Sequence, residues 1–529
     1  MTFERSRRSN GDMPPEFEKS SPPPASSSDN RRNSPPFSET AREISGKTFP
    51  LYLSMVAGVI GTLVTAAVLG HAGTASLAAY AMTVAVSNPA VMVIQGALRG
   101  SMPFVAENGD DPEALEGVFR HSLWLALCVG ALGGVLVAGV PFLAGLIGVP
   151  EATVAAFGLF PALMALALMA TSLQTCATTL LIALGHSREA MWVGLVNTGL
   201  SVVLIPLLVL GPGPLPALGM TGAGVAMCGN AAAAMVTAHL LLRRRTVLAG
   251  RRIRVTSPGW GAVWRIARVG LPMGSTMLIK FGVLGLTAMA AATVGVVEAA
   301  AHQIMVTLVT FVFLPATAVG QATVPFMARA AKEAPERGHG EVRRALLAGV
   351  AVALPVVAAS GLLVLLVARP LLGVFSPDPR VQAMVIALLP LLLLVVLADA
   401  AQVMPGMGLL AVKRTTPTLY TFALCFGALA LGVFPVAAAG GLAWLWGAYA
   451  VACSGLVLGQ TGGFLRATAA RPAGEAHDRP FTRARVNGPG CSGYDHLRRR
   501  AETRIARGAR RTAHGEGDRW VRTRRSRRG

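Results

Sequence analysis

The chain has 529 residues, of which 53% are hydrophobic and only 14% are charged. Soluble domains carry about 25% charged residues. This composition therefore excludes a protein made of soluble domains and indicates a membrane protein. The net charge of +21 does not indicate nucleic-acid binding, because residues 471–529 alone hold 17 arginines against six acidic residues without a folded binding motif.

Residues 1–46, rich in serine, proline and arginine, predict a disordered head without a signal peptide. Twelve apolar stretches follow, each long enough to cross a hydrocarbon core of about 30 Å as a helix. They lie at about 48–69, 77–98, 119–143, 152–184, 190–211, 217–242, 263–294, 299–326, 345–369, 381–411, 415–436 and 441–466. We therefore predict an all-α polytopic membrane protein in two six-helix repeats. Its predicted parts are an N-lobe at 47–242, a cytoplasmic linker at 243–262, a C-lobe at 263–467 and an arginine-rich disordered tail at 468–529.

The basic residues between the stretches indicate the orientation. If both termini are cytoplasmic, the inner connections hold 18 lysines and arginines, Arg99 among them, and the outer connections hold only Arg369 and Arg380. Basic residues accumulate on the cytoplasmic side of membrane proteins. We therefore expect a multi-pass protein of the plasma membrane with both termini in the cytoplasm.

The second half of the chain repeats the first. Pro50 aligns with Pro272 in a constant register that holds over the first helices of each half, and Gln174 aligns with Gln402 in a second register over the later helices. Six spans in each half give both copies the same orientation. Such two-lobe repeats are typical of secondary transporters, whose substrate site lies near the repeat interface.

Two charges lie deep within the predicted spans, Lys280 in the seventh and Asp399 in the tenth, and Lys280 is the only basic residue expected well inside a span. A charge at the membrane centre costs about 2.5–3.5 kcal/mol on insertion scales and therefore needs a function or a partner. We expect Asp399 and Lys280 to be ion-coupling residues that form a pair, which protonation of Asp399 releases. A permanent structural ion pair is the alternative. The equivalent positions of the first half are Gly58 and Thr171, so the buried charge is confined to the C-lobe.

Pro405 and Gly406 lie within the tenth span. Proline removes a backbone donor and kinks a helix, so these two residues predict a gating or helix-kink site. The sequence has no Walker, metalloprotease or nucleophile-elbow motif and no acidic metal cluster. We therefore expect no enzyme activity, no metal and no cofactor, and transport that depends on an ion gradient.

Five motifs, in order along the chain, point to a known family. They are Val68–Gly73, Gly270–Pro272, Ala300–Ile304, Val319–Ala322 and Asp399–Gln402. With them the chain resembles the multidrug and toxic compound extrusion (MATE) family over about residues 47–467. Within that family it looks most similar to the branch of the bacterial DNA-damage-inducible F protein.

The resemblance implies an antiporter, driven by protons or sodium, that exports drugs or small metabolites, and it matches Asp399 to a coupling acid of the second lobe. The family's first helix usually carries an acid where this chain has Val64–Ala66, and its seventh often has a glutamate at Lys280. These missing carboxylates favour a proton over sodium and a neutral or anionic substrate over a polycation. We expect polar side chains of both lobes to line the substrate cavity: Gln402, Gln174, Thr171, Thr65 and Asn197.

Two other functions stay open at this point. A flippase for lipid or polysaccharide precursors belongs to the same superfamily, but it would need several basic residues along a lipid-facing opening. The arginine-rich tail could contact nucleic-acid phosphates, although its composition fits anionic lipid heads better. We expect a monomer whose partners are a small-molecule substrate, protons and membrane lipids, with no nucleic acid.

Overall fold

The computed structural model describes residues 37–71, 74–146, 154–155, 157–211, 217–249, 258–337 and 339–469, and the regular structure in them is helical. The helices are α1 (Phe37–His71), α2 (Thr74–Arg99), α3 (Met102–Glu107), α4 (Pro112–Ala138), α5 (Val140–Leu146), α6 (Phe160–Ala183), α7 (Ser187–Leu210), α8 (Gly219–Arg245), α9 (Trp260–Val294), α10 (Val296–Arg337), α11 (Gly340–Leu366), α12 (Ala368–Phe375), α13 (Pro379–Ala411) and α14 (Thr416–Ala467). Many large apolar side chains on their outer faces are exposed, which suits contact with lipid.

Eleven candidate membrane spans are found in the described residues. The last one, α14, has 52 residues and is broken at Gly440 and Gly441. Gly441 has a φ of +62°, a conformation that glycine adopts without the steric penalty of a side chain. The break divides α14 into two spans, so the twelve spans and the all-α membrane fold expected from the sequence are confirmed.

The first helix begins earlier than expected. α1 starts at Phe37, so the prediction of disorder up to residue 46 was wrong for residues 37–46. This first part of α1 is fixed by a 2.7 Å ion pair between Lys47 and Glu43, one helical turn apart. The Lys47 ammonium also lies 4.6 Å from the ring centroid of Phe326 on α10. The rest of the head, linker residues 250–257 and residues 470–529 of the tail lie outside the described residues.

The helix bounds repeat in the register that aligned Gln174 with Gln402. α4 and α11 both have 27 residues, and they begin at the equivalent positions Pro112 and Gly340. The short helices α5 and α12 also begin at equivalent positions. The helices α6 and α13 end at equivalent positions in the same register. The two lobes are therefore built on the same plan.

Aspartates set the starts of helices in both lobes. The carboxylate of Asp111 accepts hydrogen bonds from the N–H groups of Glu113 and Ala114 at 2.9 and 3.2 Å. The carboxylate of Asp378 accepts one from the N–H of Arg380 at 2.8 Å. In each case proline is the first helical residue, which favours a helix start. The cap at Asp378 fixes where α13 begins, and α13 carries Asp399.

Glycines join the two lobes where α2 crosses α9. A Cβ on Gly96 would collide with the backbone of Gly274, and a Cβ on Gly100 with that of Gly270. The two glycines on each side, Gly96 of α2 and Gly100 directly after α2, and Gly270 and Gly274 of α9, are four residues apart, the spacing that lets membrane helices approach backbone to backbone. We call this contact the glycine crossing.

A second joint between the lobes lies in the connections at the helix ends. Glu107 at the end of α3 forms a 2.6 Å ion pair with Lys413, which follows α13. Lys413 has a left-handed φ of +58°, and its ammonium lies 4.4 Å from the ring centroid of Phe104. The N-lobe and the C-lobe are therefore joined by charge as well as by backbone packing.

Candidate functional site

Lys280 and Asp399 form an ion pair inside the C-lobe. The ammonium of Lys280 on α9 donates a hydrogen bond to Oδ2 of Asp399 on α13, and the two side chains are only 9% and 0% exposed. Removing two charges from water is costly, and close pairing in a low-dielectric interior offsets that cost. The ammonium also lies 4.5 Å from the ring centroid of Phe313 on α10, a further favourable contact for a buried cation. The expected pairing is present, and its role in ion coupling stays a prediction.

A chain of amides extends from this pair. Oδ1 of Asp399 accepts a 2.9 Å hydrogen bond from Nε2 of Gln402, which lies three residues later on the same face of α13. Oε1 of Gln402 accepts a 2.7 Å hydrogen bond from Nε2 of Gln460 on α14. Oε1 of Gln460 is buried and has no hydrogen-bond partner among the described residues. The network therefore connects α9, α13 and the second part of α14, and a change of charge at Asp399 acts on all three.

The predicted kink residues lie next to this network. Pro405 and Gly406 are buried in α13, whose helical assignment continues through both. Gly406 lies against Oε1 of Gln460, where a Cβ would collide. The non-helical backbone inside a long helix of the described C-lobe lies instead at Gly440 and Gly441 of α14. A gating role for Pro405 and Gly406 stays a prediction.

Gly58 of α1 lines three cavities, one of which contains this network. The central cavity, about 500 Å³, lies between the lobes and is lined by Lys280, Asp399 and Gln402 among others. The N-lobe cavity, about 340 Å³, lies between α1, α2, α6, α7 and α8. The third, about 290 Å³, is lined mainly by α1, α2, α6 and α7 and by Gln321 of α10. We call the third the glutamine cavity, because it contains three glutamines.

The five residues predicted for the substrate cavity are divided among these three cavities. Gln402 lines the central cavity, and Gln174 lines the glutamine cavity. Thr65 and Thr171 line the N-lobe cavity. Asn197 lines both the glutamine cavity and the N-lobe cavity. The hydroxyls of Thr65 and Thr171 donate to carbonyls of their own helices at 2.8 Å. Their part in substrate binding stays a prediction.

Arg99 is a cavity residue that sequence reasoning missed. The sequence placed it in an inner connection, but α2 extends to Arg99, and Arg99 lines both the central and the glutamine cavity. Lys280 is therefore not the only basic side chain within the helical core. The sequence did contain a signal for this position. Gln95 and Arg99 are four residues apart and therefore lie on the same face of the helix.

Twelve apolar spans in two lobes of the same plan, with a cavity between the lobes and a buried ion pair of the C-lobe in its lining, define a polytopic membrane protein of the transporter class. A model of the MatE family matches residues 50–207 and, a second time, residues 272–436. The two matches begin at Pro50 and Pro272, the pair that the sequence repeat aligned. The chain belongs to the MatE family.

Known relatives extend over most of the chain. A probable multidrug resistance protein NorM of Chromobacterium violaceum is 26% identical over 406 residues, which cover 74% of this chain and 85% of that protein. A protein of the same name from Xanthomonas campestris pv. campestris is 29% identical over 441 residues, 81% of this chain and 93% of that protein. The family suggested by the sequence motifs is thus confirmed, whereas the DNA-damage-inducible F branch stays a prediction.

The fold is also found among solved structures. A crystal structure of MATE in the straight conformation aligns with a TM-score of 0.70 at 19% identity, over 81% of this chain and 95% of that one. At this identity the likeness shows the fold alone.

Proposed function

We propose that this protein exports small organic molecules across the plasma membrane in exchange for protons, with both termini in the cytoplasm. The observation that carries the proposal is the Lys280–Asp399 pair, which is buried and yet lines the central cavity between the lobes. The names of the NorM relatives support drugs as one class of exported molecule. The duplicated lobes support alternating access.

Protonation of Asp399 would act as the switch. A proton from the outer side converts the carboxylate to a neutral carboxyl group, and Lys280 keeps its charge but loses its partner. An unpaired ammonium is unfavourable in a low-dielectric interior, so α9 and α13 rearrange. Both helices line the central cavity, and their rearrangement expels the substrate. Release of the proton on the inner side restores the pair and the substrate-binding shape.

Everted membrane vesicles test the coupling. A proton gradient, acidic inside, is imposed separately from a sodium gradient, and a panel of drugs is added while a pH-sensitive dye reports proton loss. We expect drug-dependent proton loss and drug uptake with the proton gradient only. Asp399→Asn should reduce both at least tenfold, because an amide cannot carry the proton.

The variants need matched controls, because Asp399→Asn leaves Lys280 without its partner. Lys280→Gln/Asp399→Asn removes both charges and should fold like the wild type but lack coupling. Asp378→Asn, at the exposed start of the same helix, keeps the helix cap and should transport normally. Gradient-driven transport retained in a well-expressed Asp399→Asn protein would refute coupling through this residue.

A further inference from the structure

An arginine without an acidic partner lies where two cavities meet. The side chain of Arg99 lines the central cavity and the glutamine cavity, and so do Met55, Gly58 and Gln95. Among the described residues Arg99 has no ion pair and no hydrogen bond. A guanidinium presents five N–H donors in a fixed plane and keeps its charge at any physiological pH. Its donors are thus available to a molecule in the cavities.

The glycine crossing fixes the position of this arginine. Gly96 and Gly100 on either side of Arg99 pack against the backbone of α9, which sets the rotation of α2 about its axis. Gln95 and Arg99 then lie on a neighbouring face, in line with Asn88 and Met92 earlier in the helix, and these four residues line the central cavity. Arg99 is therefore held in the lining of both cavities, beside the contact that joins the lobes.

The acid in the lining of the two cavities, Asp399, and the acid at the end of the next helix, Glu107, are already engaged. One oxygen of Asp399 binds Lys280 and the other binds Gln402. Glu107, at the end of the helix that follows Arg99, binds Lys413. With the Lys280–Asp399 pair neutral as a whole, the described lining of the two cavities has one uncompensated positive charge, that of Arg99.

The lining of the glutamine cavity suits an anion. It contains the amides of Gln95, Gln174, Gln321 and Asn197, and none of its described lining residues is acidic. Of its hydroxyls, those of Thr175 and Thr178 already donate to carbonyls of α6, so the amides are the main donors beside Arg99. Amide N–H groups donate hydrogen bonds to oxyanions, and arginine binds a carboxylate through two parallel hydrogen bonds. The volume of about 290 Å³ admits one small organic group.

We propose that Arg99, with Gln95 and Gln174, forms a subsite for the carboxylate of the transported molecule. The substrate class is a small organic acid, or a molecule with an acidic and an apolar end. Its carboxylate lies on Arg99, and its apolar part extends into the central cavity along Met92, Phe281 and Phe313. The direction of transport rests on the proposed export function, but the subsite does not.

This placement separates substrate recognition from proton coupling. The anion binds on α2 of the N-lobe, whereas the proton binds on α13 of the C-lobe. The substrate and the proton therefore do not compete directly for one group, as a cationic substrate and a proton would compete for a single carboxylate. Exclusion of the substrate in the protonated state must come from movement of α9 and α13. If anion and proton moved in the same direction, the export proposal would be wrong and the subsite would stand.

A pair of isosteric probes tests the subsite on the purified full-length protein in detergent micelles. Binding of 2-naphthoate and of neutral 2-naphthamide is measured by calorimetry. The wild type should bind the carboxylate at least tenfold more tightly. Arg99→Gln should weaken naphthoate binding about tenfold to hundredfold, as for a charged hydrogen bond of about 1.5–3 kcal/mol, and leave naphthamide unchanged. Arg99→Lys should retain part of the preference, because it keeps the charge but loses the paired geometry.

The matched control is Arg188→Gln, which removes an exposed arginine at the start of α7 in the same lobe. It should bind both probes like the wild type. Equal affinity of the wild type for the two probes, or an unchanged naphthoate preference in Arg99→Gln, would overturn the subsite. Since binding in micelles needs no gradient, failure of all gradient-driven export with selective naphthoate binding intact would overturn only the proposed function.

Discussion

The N-lobe and the C-lobe share a helix plan but treat buried charge differently. In the C-lobe the cation of Lys280 is neutralised by Asp399 within the same lobe. In the N-lobe the equivalent positions are Gly58 and Thr171, and Arg99 remains without an acid among the described residues. The two lobes thus share the arrangement of their helices, whereas residues at single positions decide which lobe contains a buried ion pair. The comparison suggests that one lobe carries the proton and the other recognises the substrate.

The largest expected effect comes from breaking the C-lobe pair. Asp399→Ala leaves Lys280 as an uncompensated buried charge, which should cost about 3–5 kcal/mol of stability. Lys280→Met/Asp399→Leu should recover most of that loss, because well-packed apolar residues replace buried ion pairs at little cost. Thermal unfolding in detergent measures both losses of stability. The everted-vesicle assay then separates a structural from a coupling role, since the double variant should be stable but unable to couple.

The equivalent residue of the N-lobe provides the control. Thr171 hydrogen-bonds only within its own helix in the described structure, so Thr171→Ala should change stability by less than about 1 kcal/mol. Equal losses for Asp399→Ala and Thr171→Ala would show that the lobes do not differ in the way we argue.

The next effect concerns the glycines. Gly274→Val inserts a side chain where α9 touches the backbone of α2, and overpacking of this kind costs about 1–3 kcal/mol. Gly58→Ala should have almost no effect, because a Cβ there meets no atom within 4 Å. Both glycines lie in equivalent first helices of their lobes, so a thermal-unfolding comparison of the two variants distinguishes a lobe contact from open cavity space. A large loss from Gly58→Ala would contradict the cavity geometry.

The sequence predicted the scaffold well, because membrane spans, repeat registers and buried charges are local properties. Lys280 and Asp399 were found as charges inside apolar runs, and their pairing followed from the cost of leaving them alone. Gln460 and Arg99 were missed for different reasons. Gln460 becomes significant only through its contact with Gln402 on another helix. Arg99 lies at the edge of an apolar run, where a basic residue usually marks the membrane boundary, and its place in the cavity depends on the glycine crossing.

The smallest effect on stability is expected at the charged joint between the lobes. Glu107 and Lys413 are partly exposed, at 17% and 27% of their side chains, and exposed ion pairs contribute about 0–1 kcal/mol. Glu107→Gln should therefore hardly change the unfolding temperature. Because this pair joins the lobes, however, a loss of about 1 kcal/mol changes the ratio of closed to open conformations about fivefold. Hydrogen exchange of the backbone around residues 96–100 should become faster in Glu107→Gln and stay unchanged in Thr171→Ala. Unchanged exchange in both variants would mean that the glycine crossing alone holds the lobes together at this end.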